Sequence, residues 1–182
     1  MEKVLIVNGS PHKDGDTAYI LNEIKNNIDG DIEQIDAYFD NIKPCIDCRY
    51  CWKNEGCSIK DKMDIIYNDD YDTIIVASPI YMSNVTPPLF SIITRMNMLW
   101  CNKYFLNKIH NFKKKKGILV LTGGGNGGPE GAIKMAKKMF KYVNAKFDIN
   151  KNYIYSLKTN DISAKDDEEL KYIIKNVLKN SI

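Results

Sequence analysis

Apolar residues gather along this chain in short unbroken runs, separated by stretches of amphipathic spacing. Val4–Val7 is such a run, closed by Asn8 and Gly9, and Thr73–Ser78 (TIIVAS) and Gly117–Leu121 (GILVL) are two more. A run with no polar alternation has no solvated face, so each predicts a strand buried on both sides of a parallel sheet. Between them the spacing becomes helical: Ile20, Leu21, Ile24 and Ile28 from about Thr17, the segment from Pro87 to about Leu99, and Ile133, Met135, Ala136, Met139 and Val143 within Glu130–Val143. Gly30 stands where the first helix should be capped. A weaker strand is expected over Ile32–Ala37 and a fifth over Phe147–Tyr155. A last amphipathic helix, Glu168–Lys179, gathers Leu170, Ile173, Ile174, Val177 and Leu178 on one side, with Asp161 or Ser163 as its cap.

Strand and helix alternate throughout, which predicts an open five-stranded parallel sheet with helices on both faces, because each right-handed crossover must return over the sheet. The length suits a single domain over residues 1–182 with a core of useful size. The interval between the second and third strands breaks the rhythm. An excursion over about residues 38–70 fills it, with a short helix near Met63, Ile65, Ile66 and Tyr67, and it is expected to lie over the carboxyl edge of the sheet. Structured loops of that length are usually functional.

A formal charge of +3 is mild, and the basic run Lys113–Lys116 has no aromatics interleaved, so it reads as a solvated loop. Nucleic-acid binding would need a broader basic surface and stacking residues, and it is set aside. The chain enters a strand directly after Met1, Glu2 and Lys3, and no stretch is long enough to span a bilayer, so a cytoplasmic protein without membrane attachment is expected. A reducing compartment argues against structural disulfides. Cys101, beside Trp100, is expected in the core.

The other cysteines concentrate the chemistry. Cys45, Cys48, Cys51 and Cys57 lie within CIDCRYCWKNEGC, and the Cys-x2-Cys-x2-Cys run places thiols at the spacing with which bacterial ferredoxins hold an iron-sulfur cubane. Structural zinc usually takes paired knuckles or a Cys pair with a His pair across a longer loop, and neither is present. Three readings stand side by side: ligands of a [4Fe-4S] cluster, a zinc or disulfide site, and reduced thiols that line a cofactor pocket without metal.

Three loops follow the first, third and fourth strands, at the edge where an open sheet binds its ligand. GSPHKDGDT, Gly9–Thr17, sets Ser10 and Thr17 hydroxyls, small residues and His12 before a helix N-terminus, whose unpaired amides and dipole attract phosphate. It has neither the G-x-G-x-x-G fingerprint nor the Walker ending. SPIYMSN follows the third strand, and TGGGNGG the fourth. In the strand order 2-1-3-4-5 the switch point falls between strands one and three, and FMN sits there with its phosphate at the first loop. The expected binding set is Ser10, His12, Asp16, Thr17 and Ala18, then Pro79, Ile80, Tyr81, Met82 and Ser83, then Thr122, Gly123, Gly124 and Gly125. Against this stand a core or interface role for Tyr81 and a plain solvent loop for the glycines. His12 and His110 are the only histidines, and no nucleophile-base pair is evident, so the flavin rather than a catalytic side chain would carry the chemistry.

With these residues in hand, the chain resembles the flavodoxin-like NAD(P)H-dependent FMN reductases and, within them, the iron-sulfur flavoproteins. GSPHKDGDT is similar to that family's GSPRKNGNT phosphate loop, PCIDCRYCWKNEGCSIKDKM to its compact cysteine motif with the Asp-Asp-Met element, and SPIYMSNVTPPLFSIITR to its flavin loop and following helix. His12 and Asp16 depart from the usual Arg and Asn, Lys62 from the second Asp, and Phe90 and Thr94 from a Lys and an Asp that precede Arg95. The resemblance implies bound FMN, NADH or NADPH as hydride donor, and a quinone, flavin, nitro, azo or protein acceptor. It further implies cluster ligation by Cys45, Cys48, Cys51 and Cys57, and a homodimer or higher oligomer. The contrasting expectation is a non-enzymatic flavin or iron-sulfur electron carrier.

Overall fold

The computed structural model describes residues 1–181. Strands β1 (Glu2–Asn8), β2 (Gly30–Asp36), β3 (Thr73–Pro79), β4 (Lys115–Gly123), β5 (Ala145–Lys146) and β6 (Tyr153–Leu157) alternate with helices α1 (Asp16–Asn26), α2 (Met63–Tyr67), α3 (Pro87–Arg95), α4 (Asn97–Leu106), α5 (Glu130–Tyr142) and α6 (Glu168–Ser181). The sheet is parallel in the order β2-β1-β3-β4-β5, with β6 also on β4. This is the flavodoxin-like order expected from the sequence.

Residue parity explains the unbroken apolar runs. Leu5, Val7, Ile74, Val76, Leu119 and Leu121 enter one core with Leu89, Ile92, Met139 and Phe140 from α3 and α5. Their neighbours Val4, Ile6, Ile75, Ala77, Ile118 and Val120 enter a second core with Ile20, Leu21 and Ile24 of α1 and Leu170, Ile174 and Leu178 of α6. Both faces of the central strands β1, β3 and β4 are dry, so their middle positions take apolar side chains in succession, whereas the edge strand β2 stays partly solvated.

Several expectations change. The fifth strand is two pieces: β5 pairs Lys115 and Lys116, β6 pairs Leu119 to Gly123, and a turn separates them. Asp148 makes that turn, since its carbonyl accepts from the Lys151 and Asn152 amides and its side chain from the Asn150 amide. The helix from Pro87 breaks at Met96, whose dihedrals (φ −62, ψ −15) stay helical, so no glycine or proline announces α4. Gly30 opens β2 rather than capping α1, and a Cβ there would stand 2.6 Å from the Glu2 carbonyl oxygen. Neither Asp161 nor Ser163 caps α6; the Asp167 carboxylate accepts from the Leu170 amide.

The lysine run is not a solvated loop throughout. Lys115 begins β4 with its side chain fully buried, donating to the Lys113 and Val143 carbonyls and ion-paired with Asp69. The rings of Tyr71 and Phe112 lie 5.0 and 5.4 Å from its ammonium. Burial lowers the Lys115 pKa against the opposing pull of Asp69. No described helix is long and apolar enough to cross a membrane.

Candidate functional site

Three loops leave the carboxyl ends of β1, β3 and β4, and buried side chains lock them together. Asn8 ends β1 with its amide donating to Asp36 (2.8 Å) while its oxygen accepts from the Ser10 amide (2.9 Å). Ser10 is buried, and its Oγ accepts from the His12 amide at 3.2 Å and donates to the His12 carbonyl at 3.3 Å, closing a tight turn. The Thr86 hydroxyl donates to the Gly9 carbonyl at 2.7 Å, joining the first loop to the start of α3. Side-chain atoms of Leu89 would lie 2.9 Å from a Cβ on Gly9, so only glycine fits. Thr17 and Thr122 join first loop to third, Oγ1 to Oγ1 at 2.7 Å, both buried. Two hydroxyls so paired use one hydrogen between them, which leaves the other for an acceptor.

The N-terminus of α1 is bare. Gly15 occupies the cap and no side chain bonds to the first-turn amides of Asp16, Thr17 and Ala18. The Asp16 carboxylate, expected near the phosphate, accepts instead from the Ser163 hydroxyl (3.0 Å) and the Ala164 amide (2.8 Å). His12 and Lys13 are exposed beside the opening, Lys13 with its ammonium 4.8 Å from the Phe39 ring.

The second loop carries backbone strain. Tyr81 and Asn84 exchange backbone hydrogen bonds around Met82 (φ 49) and Ser83 (φ 59), a tight turn of two left-handed residues without glycine. Met82 is 98% exposed and Tyr81 42%. Ile80 donates its amide to the Thr122 carbonyl, and Ala132 donates its own to the Ser83 carbonyl, so the loop is held between β4 and α5. Pro79 is half-buried. A Cβ on Gly131 would stand 2.4 Å from the Ser83 carbonyl oxygen. Gly131→Ala should therefore displace the turn, making it more open to protease while thermal stability falls by about 1 kcal/mol; limited proteolysis beside a melting curve checks this. In the third loop the carbonyls of Gly123, Gly124 and Gly125 accept from the amides of Thr159, Asn160 and Lys158. Nothing stands within 4 Å of a Cβ on Gly125 or Gly127, so the outer side of this loop is open.

The thiols occupy a separate place. Cys45, Cys48, Cys51 and Cys57 border one narrow hollow of about 20 Å³ that contains Arg95 and no residue of the three loops. Among the described residues no group of three or more His, Cys, Asp or Glu is placed to hold a metal ion. Cys45 and Cys48 are exposed and Cys51 and Cys57 half-buried. Burial, then the neighbouring thiol of Cys101, pushes Cys51 up to about 12, whereas Ser58, 3.1 Å from the Cys48 sulfur, draws Cys48 down. Cys101 is buried, as expected. The thiols keep ferredoxin-like spacing along the chain, but as placed they do not converge on one metal position among the described residues.

Two side chains not recognised in the sequence hold the excursion. Arg95, 1% exposed, donates to the Lys43 carbonyl (2.8 Å), the Ile59 carbonyl (3.0 Å) and Asp61 (2.9 Å). Asn102, fully buried on α4, donates to the Cys51 and Asn54 carbonyls and accepts from the Gly56 amide. Lys62, at the departure from the second Asp, pairs with Asp40 at 2.5 Å. The signal for Arg95 was a charge set inside the apolar stripe of Ile92, Ile93 and Met96.

A family model described as NADPH-dependent FMN reductase matches residues 2–158. An iron-sulfur flavoprotein of Methanocaldococcus jannaschii is 29% identical over 143 residues, covering 76% of this chain and 71% of that protein. One from Methanosarcina thermophila is 30% identical over 137 residues, covering 72% and 69%. Among solved structures, an FMN-dependent NADH-azoreductase from Bacillus anthracis in complex with FMN superposes with a TM-score of 0.64 at 19% identity, over 98% of this chain and 97% of the other.

Proposed function

Because the chain belongs to the NADPH-dependent FMN reductase family, and is thus an FMN-dependent oxidoreductase, we propose that it takes hydride from NADH or NADPH and passes electrons to a quinone, flavin, nitro, azo or protein acceptor. The observation that carries the reading is the uncapped N-terminus of α1 beside the Thr17–Thr122 pair, a cradle of donors left without acceptors among the described side chains. FMN, when bound, supplies the hydride and electron chemistry, so no catalytic side chain is invoked.

The residues of the chain have defined tasks in this proposal. The amides of Asp16, Thr17 and Ala18, with the hydroxyls of Ser10 and Thr17 or Thr122, would hold the phosphate, which suits the positive end of a helix. His12 and Lys13 stand at the mouth of that cradle, where a positive charge favours the dianion. The segment Pro79–Ser83 and the glycines 123 to 125 would border the ring, with Tyr81 shielding one face. Met82 and Phe90, exposed at the same edge, support a homodimer or higher oligomer in which a second copy covers it.

For the thiols we propose that Cys45, Cys48, Cys51 and Cys57 draw together to hold a [4Fe-4S] cluster, supported by their ferredoxin-like spacing and by the likeness to iron-sulfur flavoproteins. Binding must draw the proton from Cys51, so loading should improve as pH rises. Anaerobic purification followed by iron and sulfide assay tests it; protein that takes up neither on reconstitution would sink this part alone.

Anaerobic mixing with each nicotinamide tests the central proposal. Bleaching of the flavin absorbance by NADH or NADPH is expected. Protein that binds FMN but bleaches with neither would favour the electron carrier. Protein that stays colourless after FMN addition would overturn the flavin site itself.

A further inference from the structure

A cavity of about 490 Å³ lies between α4, α5 and the segment leading into β4, away from the three loops. That volume is within the range of small-molecule sites. Its walls include Trp100, Phe112 and Tyr142, and its rim carries Lys103, Lys138 and Lys141. Phe112 is buried, whereas Trp100 is 45% exposed and stacks at 4.9 Å on Tyr104, which fixes the ring at the mouth. No aspartate or glutamate lines the cavity, and none of the three rim lysines forms an ion pair among the described residues. Lys141 also borders an adjoining depression in which Lys114, Lys116 and Lys146 outnumber Glu2 and Asp72, so an excess of positive charge continues past the rim.

Some lysines elsewhere on the molecule are matched by carboxylates, as Lys3 is by Asp70 and Lys171 by Glu168. Here like charges surround an apolar hollow with nothing of opposite sign. Such a rim repels cations and gains from an anion, while the rings reward a flat apolar body through stacking and burial. We infer that this cavity is a second binding site, for a planar aromatic anion: a ring system bearing a carboxylate, sulfonate or phosphate. The ring would lie between Trp100, Phe112 and Tyr142, and the anionic group would reach Lys138 and Lys141. The site is independent of the flavin reading, because it shares no residue with the three loops.

Naphthalene-2-sulfonate is a suitable probe, followed by quenching of tryptophan fluorescence in the full-length protein loaded with FMN. Saturable one-to-one quenching is expected, and because Trp100→Phe removes the reporter at the site, the weaker binding expected of that variant is read by equilibrium dialysis of the probe. Lys138→Gln combined with Lys141→Gln should weaken binding about five- to tenfold, and added salt should weaken it in the native protein but little in the double variant. Both lysines are exposed, and an unchanged FMN content and melting curve will show that the variant is folded. Equal binding of the uncharged 2-naphthol, equal binding by the double variant, or quenching that fails to saturate would each overturn the inference. So would sedimentation showing that self-association buries Trp100 and excludes the probe.

Discussion

Alanine in place of Arg95 should lower stability by about 3–5 kcal/mol, the usual cost of leaving a buried charge without its partner. For a chain of this length that is a fall of about 10 °C or more in Tm. The guanidinium serves Lys43, Ile59 and Asp61 at once, so its loss leaves backbone carbonyls and a carboxylate unsatisfied where the excursion meets α3. The damage should be local. Limited proteolysis should cut within residues 38–62 much faster than in the native protein, while flavin absorbance persists, because Arg95 touches none of the three loops. Loss of flavin in step with cleavage would contradict this separation. Acid should act at the same point. Burial raises the Asp61 pKa, but hydrogen bonds from Arg95 and from the amides of Met63 and Lys43 outweigh it and hold the carboxyl below its ordinary value of 3.8. A depressed carboxylate contributes its full stability above the ordinary value and loses it as pH falls through the folded one. Asp61→Asn should therefore flatten the pH dependence of cleavage below about pH 4.

Ser10→Ala combined with Thr17→Val should weaken FMN binding about 100-fold or more. Ser10, by turning its hydroxyl from the His12 carbonyl, and the Thr17–Thr122 pair would each offer one hydrogen bond to a charged acceptor, and such bonds are worth about 1.5–3 kcal/mol. Both side chains are buried and neither replacement adds a non-hydrogen atom, so the fold should survive, at a cost of about 1–3 kcal/mol for the buried hydrogen bonds removed. Thr17→Val also strips Thr122 of its partner at 2.7 Å, which is why the pair should cost more than either change alone suggests. Equilibrium dialysis against free FMN and against riboflavin separates the terms: affinity for riboflavin, which lacks the phosphate, should change little. An equal loss for both ligands would place the phosphate elsewhere.

How much of this was legible in advance depended on range. The runs VLIV, TIIVAS and GILVL declare buried parallel strands by themselves, since burial on both faces is written in consecutive residues. The loop proposed to hold phosphate stood out because glycines and hydroxyls gather there between a strand and a helix, although an ordinary strand-to-helix turn can share that composition. What stayed hidden depends on partners distant in sequence. Lys115 reads as one more surface lysine until Asp69, Tyr71 and Phe112 close around it. Asn102 reads as a polar residue in a helix until the cysteine loop arrives some fifty residues away to use its amide. Asp16 reads as a member of the phosphate-binding set until Ser163 and Ala164, nearly the whole chain distant, engage its carboxylate. The division of the fifth strand failed differently: Asp148 to Asn152 carries recognisable turn chemistry, but the flanking apolar residues masked it.

The excursion also governs the order in which the molecule can assemble. β1 and β2 pair across one short helix, whereas β1 reaches β3 only after the chain returns, with Val4 opposite Thr73. Closing that larger loop costs entropy before any sheet contact repays it, and the excursion itself contributes no strand to offset the cost. Newly made chain should therefore hold β1, α1 and β2 as a half-built edge, open on the β1 side, until β3 emerges. The thiol segment is the delay between the two, synthesised and exposed to oxidant while the surface that will anchor it through Arg95 and Asn102 does not yet exist.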